Sequence, residues 1–218
     1  MTNPRLTYFA FRGLGEPIRL MFADAGAPLD ERRVTSAEWG ALKPSMPFGQ
    51  MPLLEADGLA IPQSHAICRW AGRRLGFEPA GPDGAWRVDV AMEALREAQN
   101  AVTDHFWSET SLAPGAAEAF AAAALAPRLA TLARWFGAGP WWAGAAVTCA
   151  DHLALNVLDE IAAYFPTAMP AALSEFRQRM QARPGIAAYI ASGRQPAGYG
   201  FDPMRGVRCG PGAPAQTL

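Results

Sequence analysis

Lysine is nearly absent from this chain: of its 19 basic residues only Lys43 is not an arginine. Ala, Arg, Gly and Pro are abundant, a compositional bias that has replaced lysine elsewhere and singles out the survivor. Cysteine is scarce too. Cys68, Cys149 and Cys209 are odd in number and widely spaced, which excludes a disulfide scaffold and a zinc ribbon and fits a reducing compartment. An excess of either charge is missing: the formal net charge is -1 and the pI is near 6.3. With acids and bases interspersed, neither nucleic acid nor an anionic membrane is an expected partner. No apolar run reaches the roughly 18 residues of a membrane span. Met1-Thr2-Asn3-Pro4-Arg5 lacks the basic and apolar regions of a signal peptide, so the expected compartment is the cytoplasm. What is present is a 50% hydrophobic fraction in 218 residues, enough for one large domain or two small ones.

Arg5-Leu6-Thr7-Tyr8-Phe9 is rich in strand formers, and Gly13-Leu14-Gly15-Glu16-Pro17 follows as a loop with proline placed for the first turn of a helix. Ile18, Met21, Phe22 and Ala25 fall at helical spacing, which predicts a helix over 17–25 and a second strand near 31–34. Residues 36–48, with Trp39, Lys43, Pro44 and Pro47, are too broken for a long helix. Residues 50–69 read as a β-hairpin turning at Asp57-Gly58, then an amphipathic helix opened by Gln63-Ser64. The order β-α-β, irregular loop, β-β-α predicts a mixed α/β, thioredoxin-like domain over 1–76. Residues 77–84 hold four helix breakers and predict a linker. Periodicity then becomes wholly helical, over 86–107, 116–136, 149–164, 171–182 and 186–192. This predicts an all-α domain over 85–193. Residues 194–218, rich in Gly and Pro, are expected to form a tail that packs in part and frays.

The 50–69 stretch offers two handles to a peptide-sized anion. Pro52 opens a strand at an exposed edge, where Met51 can present its N–H and C=O to an extended ligand. Ser64 brings a hydroxyl and the first amides of a helix, a ready carboxylate site; simple N-capping uses the same hydroxyl. Trp39 and Lys43 lie four apart, so one helical turn sets an indole N–H beside an ammonium. Thr148-Cys149-Ala150-Asp151 reads as a helix capping box with Val147 as its staple. His65, His105 and His152 form no metal pair and no triad, so structural roles and no metal site are expected. Trp135-Phe136 and Trp141-Trp142 read as core.

Taken together, these stretches resemble one family. Leu6-Thr7-Tyr8-Phe9, Leu14-Gly15-Glu16-Pro17-Ile18-Arg19, Trp39 with Lys43, Pro47-Phe48-Gly49-Gln50-Met51-Pro52, Gln63-Ser64 with Ala66, Ile67 and Arg69, and Thr148 with Asp151 are similar in order and spacing to the cytosolic glutathione transferases, the sigma-like class above all. The resemblance implies a thioredoxin-like N-terminal domain that binds glutathione, an all-helical C-terminal domain that shapes an electrophile pocket, and a homodimer. It implies Tyr8 as the catalytic residue, its phenol donating to the glutathione sulfur so that the thiolate persists at neutral pH. A hydrogen bond to a charged acceptor contributes roughly 1.5–3 kcal/mol, or about one to two pKa units. It implies a cis Met51-Pro52 peptide, with Gln50 adjoining, that pairs with the cysteinyl unit. Gln63 and Ser64 would receive the γ-glutamyl carboxylate, Trp39 and Lys43 the glycyl carboxylate, and Glu97 of a partner subunit the γ-glutamyl amine. Phe9, Leu14, Phe106 and Trp107, with tail residues near Phe201, would line the electrophile pocket between the domains.

Two positions depart from the family's pattern. Leu14 stands where several classes carry an arginine that helps stabilise the thiolate, and Glu97 is one methylene longer than the usual aspartate. The leading function implied is a glutathione transferase that adds the thiolate to a hydrophobic electrophile or displaces a leaving group from it. A glutathione-dependent isomerase of the prostaglandin synthase type and a non-catalytic, crystallin-like binder are the alternatives. With no C-x-x-C, a glutaredoxin-like role is disfavoured.

Overall fold

The computed structural model describes residues 3–79, 81–108, 113–202 and 207–209. They fall into two compact units, Met1–Glu78 with Arg183–Leu218, and Pro79–Ala182.

The first unit is built on a four-stranded sheet. β1 (Arg5–Phe9) lies inside it with Leu6, Thr7 and Tyr8 buried, because helices and neighbouring strands leave it no solvent face. α1 (Glu16–Asp24) follows, with Pro17 in the first turn, where a missing N–H breaks no helical bond. β2 (Asp30–Val34) returns parallel to β1. α2 (Ser36–Leu42) then forms a short helix that a 3-10 turn at Lys43–Ser45 ends. β3 (Leu53–Ala56) pairs antiparallel with the other side of β1, and β4 (Leu59–Pro62) pairs antiparallel with β3. The strand order is β2-β1-β3-β4. Asp57 and Gly58 both take positive φ, 51° and 80°, as a two-residue hairpin turn requires. α3 (Ser64–Leu75) ends on Gly76 in the left-handed region. α3 packs against α1, and Ile67, Cys68 and Ala71 of α3 and Ile18, Met21 and Phe22 of α1 are buried. Fully burying an aliphatic side chain of this size contributes roughly 1.5–3 kcal/mol, so these few residues hold the helical layer together.

The second unit is built of helices, with loops and one isolated bridge, Trp141 with Gly144, between them among its described residues. α4 (Gly81–Trp107) starts inside the stretch expected as a linker, because its helix breakers sit at the first turn, where they are tolerated. α5 (Ala116–Phe120) continues through a π segment at Ala121–Leu125 into α6 (Ala126–Phe136). Pro127 cannot donate to the carbonyl four residues back, and the widened segment precedes it. Arg128 Nη1 donates to Ala124 O there (2.6 Å). The run Ala116–Phe136 is long and apolar enough to cross a membrane by length and composition, which corrects the expectation that no stretch is. Its hydropathy comes from alanines, each with little apolar area, and the run packs as a helix of this unit.

α7 (Cys149–Tyr164) is the centre of the unit and is buried continuously from Cys149 to Ile161. It packs against α4 and α8 (Ala171–Gln181). Asp159 of α7 takes hydrogen bonds from Arg177 and from Gln181 Nε2 (2.8 Å for the latter). Asp151 receives the Thr148 N–H at 2.7 Å and the Trp142 N–H at 3.0 Å, so the expected capping residue also ties down the preceding loop. Trp142 and Phe136 are core, packed around Phe176, whereas Trp135 is half-buried and meets exposed Trp86 edge-on.

The chain then returns to the first unit. α9 (Pro184–Ala191) lies against α1 so closely that a Cβ on Gly185 would stand 2.3 Å from Ala23 O. Arg183 Nε donates to Asp24 Oδ2 at 2.7 Å beside it. Beyond α9, β5 (Gly200–Asp202) and β6 (Val207–Cys209) pair as a small antiparallel ribbon within the stretch expected as a tail.

Candidate functional site

The sheet register gathers the expected site residues at one end of the first unit. Thr7 pairs with Leu53, and Leu53 with Pro62. One residue further toward the same end of the sheet come Tyr8 and Gln63, the next residues of β1 and β4, and Pro52, which precedes β3. A strand-end phenol, the proline edge and the start of α3 are therefore side by side across three neighbouring strands.

Tyr8 is buried, and its ring rests on two glycines. A Cβ on Gly13 would lie 2.6 Å from Tyr8 Oη, and one on Gly15 would lie 2.5 Å from Tyr8 Cδ1. Only glycine fits this approach, and Gly13 also holds φ at 39°. The Leu14 N–H donates to Tyr8 Oη at 3.0 Å. One lone pair of the phenol is thus occupied. Phe11 meets the Tyr8 ring edge-on at 5.5 Å, Phe9 stacks on Phe11 at 5.2 Å, and Trp39 meets Phe9 edge-on at 5.7 Å. This aromatic chain connects Tyr8 to α2.

Trp39 and Lys43 do share one helical turn, with the Lys43 N–H donating to Trp39 O. The turn is held by a capping box the sequence reading missed, although Thr35-Ser36-Ala37-Glu38 has its signature. The Thr35 N–H donates to Glu38 Oε2 at 2.8 Å, and the Glu38 N–H donates to Thr35 Oγ1 at 3.3 Å. The Thr35 N–H, together with its hydroxyl, which donates to the same oxygen at 2.7 Å, holds the Glu38 carboxyl below its usual range. Lys43 is exposed, and its stem passes Gly49, whose Cβ would lie 3.7 Å from Lys43 Cε. Gln50 is exposed, Met51 half-buried and Pro52 buried, and the Met51–Pro52 peptide is cis.

At α3 the residue in the cap position is Gln63, and Ser64 is the first helical residue. Simple N-capping by Ser64 is therefore corrected: the helix begins one residue earlier than that reading needs. Gln63 makes no side-chain capping bond and takes φ 70°, ψ 111°, a region that disfavours a residue with a Cβ. Ser64 is buried and Gln63 exposed.

Of the remaining expected residues, Phe9 and Leu14 stand with Tyr8 in the first unit, whereas Glu97, Phe106 and Trp107 belong to the second. Glu97 is exposed on α4 and borders a cavity of about 300 Å³ lined by Ala94, Ala98, Arg128, Thr131 and Leu132. Phe106 packs against Tyr164 at 4.6 Å, and Trp107 is half exposed at 48%. The side chain of Phe201 lies outside the described residues.

A second group of residues lies around Glu16 and Arg19, which stood in the Leu14–Arg19 motif with no role expected of them. Arg19, almost fully buried, donates to Phe9 O at 3.2 Å and to Phe11 O at 3.0 Å, holding the chain on both sides of Ala10. It pairs with Glu31 at 2.7 Å and Glu16 at 3.2 Å. Burial pushes the Glu16 carboxyl up, against the opposing pull of Arg19 and Gln195. Gln195 Nε2 donates to Glu16 Oε1 at 3.0 Å.

A thioredoxin-like sheet of this topology, carrying a strand-end tyrosine and a cis-proline edge in a chain that continues into a helical unit, defines the class: a thioredoxin-fold protein with an appended helical domain. Two family models match, "Glutathione S-transferase, N-terminal domain" over residues 4–73 and "Glutathione S-transferase, C-terminal domain" over residues 101–193. The Hematopoietic prostaglandin D synthase of Gallus gallus is 32% identical over 208 residues, covering 87% of this chain and 96% of that protein. The Probable glutathione S-transferase 8 of Caenorhabditis elegans is 36% identical over 115 residues, 53% of this chain and 56% of that protein. The chain thus spans about half the length of several curated relatives it matches. The crystal structure of the glutathione S-transferase from Ascaris lumbricoides aligns with a TM-score of 0.76 at 29% identity, covering 88% of this chain and 97% of that one. This chain belongs to the glutathione S-transferase family.

Proposed function

We propose that this protein is a sigma-like glutathione transferase in which Tyr8 stabilises the glutathione thiolate for attack on a hydrophobic electrophile. The observation that supports it is the register that aligns Tyr8, Pro52 and Gln63 at one sheet end. Met51 offers backbone to the cysteinyl unit in the manner of an added strand. Gln63, Ser64 and the first α3 amides receive one carboxylate, and Trp39 with Lys43 receives the other. The Tyr8 O–H donates to the sulfur while the Leu14 N–H holds the phenol oxygen. The thiol proton leaves to solvent and the thiolate's lone pair forms a carbon–sulfur bond; a leaving group departs with its bonding pair, or the electrophile's π bond breaks and its pair moves to the far atom, which takes a proton from solvent. Phe9 and Leu14 give the apolar surface beside the sulfur, and Phe106 and Trp107 are further candidates for electrophile contact. The protein works as a cytoplasmic homodimer, with Glu97 of a partner subunit directed to the γ-glutamyl amine.

Tyr8→Phe tests the reading. With glutathione bound, its thiolate absorbance followed against pH should shift upward by about one to two units, with turnover at neutral pH falling roughly 10- to 100-fold. An unchanged titration sinks the assignment.

The full-length similarity to Hematopoietic prostaglandin D synthase favours a second reading, a glutathione-dependent isomerase of an endoperoxide. Product analysis separates the two: the isomerase returns glutathione unconsumed, the transferase binds it into a thioether.

A further inference from the structure

Arg12 stands two residues before the amide that holds the Tyr8 hydroxyl, and the C-terminal segment closes on it. The Arg12 N–H donates to Gly198 O at 2.8 Å, and the Gly13 N–H donates to Tyr199 O at 2.7 Å. The Arg12 side chain donates from Nε to Pro196 O at 2.8 Å and from Nη1 to Tyr199 Oη at 2.6 Å. Its guanidinium carbon lies 4.4 Å from the centre of the Tyr199 ring. On the other side, Arg12 O accepts from the Gly15 N–H at 3.2 Å and the Glu16 N–H at 2.9 Å, which ties the loop to the start of α1.

The loop needs such a hold for a physical reason. Gly13 must be glycine, because a Cβ would strike Tyr8 Oη, and glycine leaves the backbone free to wander. Where Leu14 N points depends on the torsions at Arg12 and Gly13, so a bond of 3.0 Å to Tyr8 persists only if those torsions are fixed from outside. The C-terminal carbonyls and the Arg12 fork fix them. A lysine could reach one of the two side-chain acceptors; the planar guanidinium reaches both and lies against the ring. An amide that donates to a phenol oxygen also strengthens the phenol as a donor in its turn. Leu14 itself carries no charge, so this backbone donor is what the loop contributes to the phenol.

We infer that the segment 196–199 acts through Arg12 as a positioning device for the Tyr8 hydroxyl, making Arg12 and Tyr199 residues that tune thiol activation without touching glutathione. The inference rests on the reading of Tyr8 proposed above. The intact chain with glutathione is titrated by thiolate absorbance in Tyr199→Phe, Arg12→Lys, Tyr8→Phe and the Tyr8→Phe/Tyr199→Phe pair, with melting midpoints measured alongside. Tyr199→Phe removes one oxygen, and Arg12→Lys keeps the charge, so neither a gross unfolding nor a change of local field confounds the result. Each of these two should raise the bound thiol pKa by about half to one unit, roughly three- to tenfold less thiolate at a pH below the pKa, with glutathione affinity within about twofold. In the paired variant Tyr199→Phe should add nothing. A shift with Tyr8→Phe but none with Tyr199→Phe or Arg12→Lys, whatever the melting midpoints do, overturns the positioning role and leaves Tyr8 standing. Equal Tyr199→Phe shifts with and without Tyr8 also overturn it, since the effect then bypasses the phenol. No shift with Tyr8→Phe overturns the tyrosine reading and this route together.

Discussion

Gln63 carries a side chain where its backbone would suit glycine. Positive φ at a residue with a Cβ costs on the order of 1–3 kcal/mol, and such positions cluster at ligand clamps. Glycine would remove that strain at an entropic cost of roughly 0.5–1 kcal/mol. Gln63→Gly should therefore hold or raise the melting midpoint while weakening glutathione binding severalfold, as read by calorimetry. A clear loss of stability would mean that Gln63 serves the fold instead of the ligand. At this scale the sequence was informative where chemistry and spacing coincide: Tyr8, the Met51-Pro52 pair and Gln63-Ser64 all stand at the sheet end that the register defines. Arg12 was illegible, because its partners are carbonyls and a phenol more than 180 residues along the chain, and no local pattern encodes a contact of that range.

At the scale of elements, periodicity located the helices, and caps set their ends. α7 begins at Cys149 after the Thr148 cap that the spacing to Asp151 predicts. α2 was harder to read, since seven helical residues followed by Lys43-Pro44 show too few turns for a period, and the evidence lay in the Thr35–Glu38 box. Periodicity located α7 but did not reveal its burial on every face, since its polar residues are buried along with its apolar ones. Within it, burial pushes the Glu160 carboxyl up from 4.5 to about 7, opposed by a hydrogen bond with Gln99. The folded chain therefore keeps a proton there that the unfolded chain has released. This contribution to stability is fully present below pH 4.5 and is lost as pH rises through about 7. The slope between is up to about 1.4 kcal/mol per pH unit. Glu160→Gln keeps the shape without the titration, so its stability relative to the native chain should rise across that window and level off above it in denaturant titrations. A difference that stays constant across the window would show that Glu160 ionises as freely in the fold as out of it.

At the scale of the whole molecule, the first unit is discontinuous: residues from both ends of the chain build it. The sequence showed a helical pattern near 186–192 and placed it with the other helices, since nothing in a period says which neighbour a helix will choose. The choice is made by Gly185, which lets α9 approach the backbone of α1, and by the Arg183–Asp24 pair. Gly185→Ala forces a methyl into the Ala23 carbonyl. It should cost about 1–3 kcal/mol, as overpacking does, seen as a lower midpoint of unfolding, and should loosen the helix that leads to Arg12's partners.

The same discontinuity orders events at birth. A nascent chain that has emerged through α3 holds its sheet and its tyrosine but lacks α9 and the segment that grips Arg12. At about 5–20 residues per second, roughly a hundred further residues take on the order of 5–20 seconds to be made. For that interval α1 lacks the cover that α9 later gives it, and the helical unit has been made before the first unit can close.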